Sequence, residues 1–205
     1  MPTNRGYDSF FGYLSGMQDH FTEQLGSFIA CKTVVDLTEQ DRPAPGDQNG
    51  TYSGWLYNRR AVQVIDDAAA QRRRWLAARA GAGAGAGDAG AAAATAATTA
   101  TAPLAPPKPF FLNYWMQNTH GPVEVPEQYS SLYNFSKAEG APKLNTFYGM
   151  VSVVDEAVGN ITAALKEGGL WESTLVVYTH DNGAPLGAGG SNFPLRGGKN
   201  SNFEG

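Results

Sequence analysis

The sequence has few of the features that mark membrane, disulfide-stabilised or nucleic-acid-binding proteins. No stretch approaches the roughly 20 consecutive apolar residues that span a bilayer, and residues 1–30 contain no charged segment followed by an apolar run. Cys31 is the only cysteine, so no intrachain disulfide can form. The net charge of −4 gives no electrostatic case for a nucleic-acid partner. We therefore expect no transmembrane segment, no signal peptide within this chain and no nucleic-acid partner.

Large side chains are almost missing from one internal tract. Residues 81–109 consist mainly of Gly, Ala, Thr and Pro, and such a composition offers little surface to bury. We predict a disordered insertion there, which a surface loop tolerates because loop-closure entropy grows slowly with length. Residues 61–80, just before it, are rich in helix formers and predict a helix. With 205 residues, the chain is long enough for one domain, 1–205, with a buried core.

The apolar pattern after the insertion predicts a βαβ unit. Residues 110–117 (FFLNYWMQ) and 174–179 (TLVVYT) are mostly apolar, which is typical of buried parallel strands. Between them, residues 147–165 place apolar side chains at steps of three and four and predict an amphipathic helix, which Gly168 and Gly169 end. Strands that alternate with a helix favour the α/β class, with a mainly parallel sheet and helices on both faces.

Each predicted strand ends in a polar motif, at the edge of the sheet where parallel-sheet proteins bind ligands. The second motif, HDNG, places the carboxylate of Asp181 beside the amide of Asn182, and Ca²⁺ and Mg²⁺ prefer such oxygen ligands. The alternative is a simple turn, because Asn-Gly and Asp-Asn-Gly are common turn sequences. The first motif, NTHGP, holds His120 at the rim as a proton donor or anion contact, or as an incidental loop histidine.

Lys199 follows two glycines, which let the backbone approach an anion while the ammonium adds positive charge. A solvated basic loop is the alternative for this residue. His20 and His180 carry no signal for function in the sequence.

Three Asn-x-Ser/Thr triplets are candidate N-glycosylation sites if the intact protein enters the secretory pathway. They begin at Asn49, Asn134 and Asn160.

Taken in order, these segments resemble the type I sulfatases, closest to the arylsulfatase B or 4-sulfatase branch. The resemblance is carried by RGYDSFFGYLSG, NTHGPVEVPEQY, YGMVSVVDEAVGNITAALKEGGLWESTLVVYTHDNG and NFPLRGGKNSNFEG. It covers nearly the whole chain outside the insertion. Because the motifs occur as an ordered series, the resemblance favours metal ligands over a simple turn for Asp181 and Asn182.

The resemblance implies an alkaline-phosphatase-like α/β fold that is incomplete here, with residues 1–205 as part of an N-terminal catalytic domain truncated at both ends. It implies hydrolysis of aryl or carbohydrate sulfate esters at a divalent cation, Ca²⁺ or alternatively Mg²⁺. Asp181 and Asn182 would be metal ligands. His120 would contact the sulfate and protonate the leaving oxygen, and Lys199 would bind a sulfate oxygen.

The nucleophile of the family is a formylglycine made from the Cys or Ser of a C/S-x-P-x-R motif, and this chain contains no such motif. Cys31 is followed by Lys-Thr-Val-Val, and Ser191 precedes Pro194 with a spacing one residue too long. We therefore expect formylglycine in the full-length protein and no activity from this chain alone. A phosphodiesterase or phosphonate hydrolase of the same superfamily, or a non-catalytic metal- or ligand-binding remnant, are the alternatives. By resemblance, the compartment would be extracellular, secretory or lysosome-like.

Overall fold

A computed structural model describes five stretches of the chain: residues 1–25, 34–44, 50–83, 105–136 and 141–204. Cys31, Asn49 and most of the predicted insertion lie outside these stretches, so the predictions made for them stay untested. Within the described stretches, no helix is long and apolar enough to cross a membrane.

Two long helices that pack against each other frame the fold. Helix α1 spans Ser53–Gly83, helix α2 is the single turn Glu127–Ser130, and helix α3 spans Ala141–Glu167. Both predicted helices are confirmed, although each extends beyond its predicted range. The glycine stop after α3 is also confirmed, because Gly169 adopts a φ of 67° and the N–H of Leu170 bonds back to the carbonyl of Leu165 at 2.8 Å.

The helices meet through small residues and a few large apolar ones. Ile65 and Ala69 of α1 pack against Ala164 and Leu165 of α3 in one buried cluster. The approach is close, since a Cβ atom placed on Gly168 would lie 2.8 Å from the Cβ of Ala69. Close packing of this kind excludes water from apolar surface and is the main source of stability for the helix pair.

The only sheet in the described residues is small and antiparallel. Strand β1 (Phe11–Gly12) pairs with β2 (Thr38–Glu39), which pairs with β3 (Arg42–Pro43). The prediction of a mainly parallel sheet with helices on both faces is therefore not fulfilled by these residues. Each pairing is only two residues long, and the sheet packs beside Leu37, Leu56 and Tyr57 at the edge of the core.

The segment 110–117, predicted as a buried strand, is extended but pairs with no strand of the described chain. Its side chains alternate between partly buried and exposed positions. Phe110 and Leu112 pack against the α1–α3 cluster, whereas Phe111 and Trp115 are 78% and 77% exposed. The helices thus cover one face of this segment, and its other face is open.

The prediction of a buried strand at 174–179 is wrong for this chain. The segment is extended, but Leu175 is 88% exposed and Val177 is 75% exposed. A parallel strand gains its hydrogen bonds and its burial from neighbouring strands, and the described residues place none beside it.

Candidate functional site

The loop 117–124, here called the His120 loop, follows the extended segment 110–117 and lies against the start of α1 and the middle of α3. The peptide N–H of His120 donates to the carbonyl of Gln117 at 2.8 Å. The side-chain amide of Asn118 donates to the hydroxyl of Tyr52 at 2.8 Å and to the carbonyl of Met150 at 3.4 Å. These contacts restrain the loop through Tyr52 and the backbone of α3.

The imidazole of His120 is half-buried and has a defined tautomer. Its Nδ1 lies 2.9 Å from the carbonyl oxygen of Gly121, which can only accept a hydrogen bond. Nδ1 therefore carries a proton, and Nε2 is the nitrogen that remains to exchange a proton with a ligand. In the imidazolium form, Nε2 would also carry a proton and could donate it to an anion or to a departing oxygen.

Asp181 and Asn182 lie in a bend directly after the extended segment 174–180, and both are exposed. The amide nitrogen of Asn182 donates to the carbonyl of Gly183 at 2.9 Å, so its Oδ1 is the atom that faces away from this bond. No residue of the described chain donates a hydrogen bond to the carboxylate of Asp181. A carboxylate and an amide oxygen on adjacent residues fit two positions of a Ca²⁺ or Mg²⁺ site.

Two oxygen ligands are only part of such a site, because Ca²⁺ takes about six to eight. Among the residues that the structure describes, no group of three or more His, Cys, Asp or Glu side chains is close enough to hold a metal ion. A cation bound by this pair would therefore take its remaining ligands from other residues, from water or from the substrate.

Lys199 lies in a loop that is hydrogen-bonded to the residues just after the Asp181–Asn182 pair. The peptide N–H of Lys199 donates to the carbonyl of Ala184 at 3.0 Å, and the side chain of Asn192 accepts from the N–H of Ala184 at 3.0 Å. Gly198 has no room for a side chain, since a Cβ there would lie 2.7 Å from the carbonyl oxygen of Ala184. The glycine before Lys199 thus allows the two loops to touch.

Helix α3 contacts both the His120 loop and the chain around Gly187 and Gly189. Asn118 of the His120 loop bonds to the carbonyl of Met150, while a Cβ built on Gly189 would lie 3.7 Å from the Cβ of Phe147. Phe147 and Met150 are one helical turn apart, about 4.5 Å along the axis. The His120 loop and Gly189 therefore lie against adjacent turns of one helix.

In the structure, hydrogen bonds connect the segments of some predicted site residues but not of all of them. Backbone contacts link the Lys199 loop to the segment after Asp181 and Asn182. Among the described residues, no hydrogen bond or ion pair joins His120 to Asp181, Asn182 or Lys199. The roles of these four residues stay predictions.

The sulfatase family model matches residues 1–205. The chain belongs to the sulfatase family.

Named sulfatases are similar to this sulfatase-family chain over different lengths. Arylsulfatase J of Mus musculus is 33% identical over 210 residues, which cover 100% of this chain and 28% of that protein. Arylsulfatase A of Homo sapiens is 36% identical over 101 residues, which cover 48% of this chain and 18% of that protein. N-acetylgalactosamine-6-sulfatase of Mus musculus is 35% identical over 101 residues, which cover 47% of this chain and 18% of that protein. The chain thus spans about a quarter of the relative that it matches along its whole length.

A solved structure supports the fold. Ps i-CgsB, crystallised in complex with k-i-k-neocarrahexaose, superposes with a TM-score of 0.70 and 24% identity, covering 100% of this chain and 39% of that chain. Together with the family match, this confirms the coarse prediction of an alkaline-phosphatase-like sulfatase fold. The narrower placement in the arylsulfatase B branch stays a prediction.

Sequence reasoning missed the residues that hold the His120 loop. His20 and Tyr52 both contact it, and both are fully buried. His20 lies in an irregular segment with no helical or strand periodicity, so no pattern in the sequence marked it as part of the site.

Proposed function

We propose that the protein hydrolyses aryl or carbohydrate sulfate esters at a divalent cation, and that this chain supplies the cation- and sulfate-binding half of the active site. Membership of the sulfatase family is the observation that supports this proposal, together with the contacts that the His120 loop and Gly189, which lies between Asp181 and Lys199, make with adjacent turns of α3. Sequence similarity to named arylsulfatases and to N-acetylgalactosamine-6-sulfatase supports the ester class.

Each residue has a defined role in the proposed reaction. Asp181 and Asn182 would hold Ca²⁺, or alternatively Mg²⁺, and the bound cation would polarise sulfate oxygens and lower the energy of the crowded anionic centre. The ammonium of Lys199 would bind a sulfate oxygen and offset charge that develops at the bridging oxygen. His120, in its imidazolium form, would transfer the Nε2 proton to the departing oxygen.

The nucleophile is not supplied by this chain, because no C/S-x-P-x-R motif occurs among its 205 residues. We propose that the longest protein encoded by the gene contains a formylglycine outside these 205 residues. We also propose that the 205-residue chain alone hydrolyses no ester. Without an attacking group, the binding residues only orient the substrate.

Comparing two proteins and three substrates tests this proposal. The longest natural product and the 205-residue chain are expressed in cells with formylglycine-generating enzyme and assayed with p-nitrophenyl sulfate, bis-p-nitrophenyl phosphate and a phosphonate monoester. We expect the long product alone to be active, to prefer the sulfate, and to lose activity in EDTA until Ca²⁺ or Mg²⁺ is restored. A preference for either phosphorus ester would indicate the related hydrolases, and cation binding without turnover would indicate a non-catalytic protein.

We further propose that the protein passes through the secretory pathway to an extracellular or lysosome-like compartment and carries N-linked glycans. Asn134 is exposed, and its Oδ1 accepts from the N–H of Ser136 at 3.2 Å, which directs the amide nitrogen away from the backbone. Asn160 is exposed on α3, and its amide donates one hydrogen to Asn58 at 2.9 Å, so the second hydrogen remains for substitution. Asn49 lies outside the described residues.

For Asn134, we expect Ser136→Ala to remove one glycan from the protein secreted by animal cells, because the acceptor triplet is lost. Ser136→Thr is the matched control and should keep the glycan. Intact-mass measurement before and after peptide N-glycosidase F counts the glycans. An unchanged glycan count in Ser136→Ala would show that Asn134 is not used.

A further inference from the structure

His20 is a buried histidine in contact with the loop that carries the proposed acid. Its side chain is fully buried, and its ring stacks on Tyr52 with centroids 5.4 Å apart and planes 13° apart. Its Nε2 lies 3.2 Å from the carbonyl oxygen of His120, and its Nδ1 lies 3.1 Å from the hydroxyl of Ser53. The ring thus bridges the first turn of α1 and the backbone of His120.

The hydrogen-bond partners determine the tautomer of this ring. A backbone carbonyl can only accept, so Nε2 must donate its proton to the oxygen of His120. In the neutral ring, Nδ1 then accepts from the hydroxyl of Ser53. Burial lowers the pKa of His20 below its ordinary value, which favours the neutral ring and this pattern of donors and acceptors.

The backbone of His20 is held on both sides. Its carbonyl accepts from the N–H of Ser53 at 2.7 Å, and its N–H donates to the carboxylate of Glu124 at 3.4 Å. The ring therefore has a fixed position relative to α1, and a bond from a fixed donor restrains the acceptor as well.

Tyr52 restrains the two flanks of the same loop. Its hydroxyl accepts from the amide of Asn118 at 2.8 Å and donates to the carbonyl of Glu124 at 2.9 Å. His20 restrains the middle of the loop, at the residue whose imidazole would transfer the proton. No other side chain of the described residues donates to the carbonyl of His120.

We propose that His20 is a positioning residue for the reaction: its Nε2–H holds the backbone of His120 so that the imidazole of His120 meets the bridging oxygen of the ester. This inference rests on the proposed function. A displacement of about 1 Å in a reacting group costs on the order of 100-fold in rate. His20 itself touches neither the substrate nor the reacting atoms.

The dependence of kcat on the pKa of the leaving group distinguishes a positioning role of His20 from a role in folding stability alone. Protonation of the departing oxygen matters most when the leaving group is a poor one, so a misplaced acid steepens the dependence of kcat on leaving-group pKa. A variant that only lowers the folded fraction reduces kcat by the same factor for every ester. The substrates are a series of substituted phenyl sulfates, from p-nitrophenyl to p-methoxyphenyl, assayed with the longest natural product of the gene.

We expect His20→Leu to lower kcat about 10- to 100-fold for the poorest leaving group and less than about threefold for p-nitrophenyl sulfate, with KM nearly unchanged. His20→Gln should recover most of the loss, because its amide N–H can reach the carbonyl of His120. Equal losses across the series, no loss, or no recovery by Gln would each overturn the proposal.

Two further variants keep the result interpretable. Ser53→Ala leaves the ring of His20 in place but removes the hydroxyl that bonds to its Nδ1 at 3.1 Å and helps to hold the ring. We therefore expect the same steepening at roughly threefold to tenfold, even if His20→Leu does not fold. His120→Gln, measured in the same series, tests the proposed function separately. If His120→Gln steepens the dependence and neither His20→Leu nor Ser53→Ala does, only the positioning role is overturned; if His120→Gln does not, the acid role fails.

Discussion

Asp181→Ala is expected to abolish sulfate-ester hydrolysis by the full-length protein, with a fall in kcat/KM of more than about 1,000-fold. The loss of one charged ligand leaves the cation under-coordinated, and a site that binds its cation weakly loses both charge stabilisation and orientation of the sulfate. Measuring bound Ca²⁺ and Mg²⁺ by mass spectrometry alongside activity distinguishes loss of metal from loss of folding.

Asp155→Ala is the matched control for this experiment. Asp155 is an exposed aspartate on α3, the helix that supports the site, and none of the proposed roles falls on it. We expect its activity and metal content to equal those of the unmodified protein. Unchanged metal content and activity in Asp181→Ala would contradict the assignment of Asp181 as a ligand, whatever the control shows.

His120→Gln is expected to reduce kcat about 100- to 10,000-fold for esters with poor leaving groups and much less for p-nitrophenyl sulfate. General acid catalysis contributes about this much when the leaving oxygen needs a proton, and little when it departs readily as an anion. Gln keeps a polar side chain at the position but cannot supply a proton. The measurement is kcat for the substituted phenyl sulfates at the pH of maximal activity.

His180→Gln serves as the comparison, because His180 is the exposed histidine of the same chain and packs edge-on against Tyr178 at 5.3 Å. We expect its kcat to stay within about twofold of the unmodified value for every ester. If His120→Gln lowered all the esters equally, His120 would act by binding the sulfate and not as the acid.

Local patterns in the sequence determined the helices and the motifs. The apolar spacing of residues 147–165 predicted α3, because one face of a helix must be buried, and the glycines that follow end it as predicted. The ordered motifs around His120, Asp181, Asn182 and Lys199 also predicted the sulfatase family, which the family match confirms.

The predicted strands show the limit of local patterns. Residues 174–179 are apolar enough for a buried strand, yet Leu175 is 88% exposed, because burial of a strand depends on neighbours distant in sequence. The prediction of burial holds in part for residues 110–117, because α1 and α3 cover one face of this segment.

The sequence by itself determined the family, the two long helices and the identity of the residues proposed for the chemistry, because these depend on local composition, periodicity and ordered motifs. Only the tertiary structure decided that His20 and Tyr52 restrain the His120 loop, and that this loop and Gly189 lie against adjacent turns of α3. Those contacts join residues as far apart as His20 and His120, so their energies depend on packing geometry that no local pattern records.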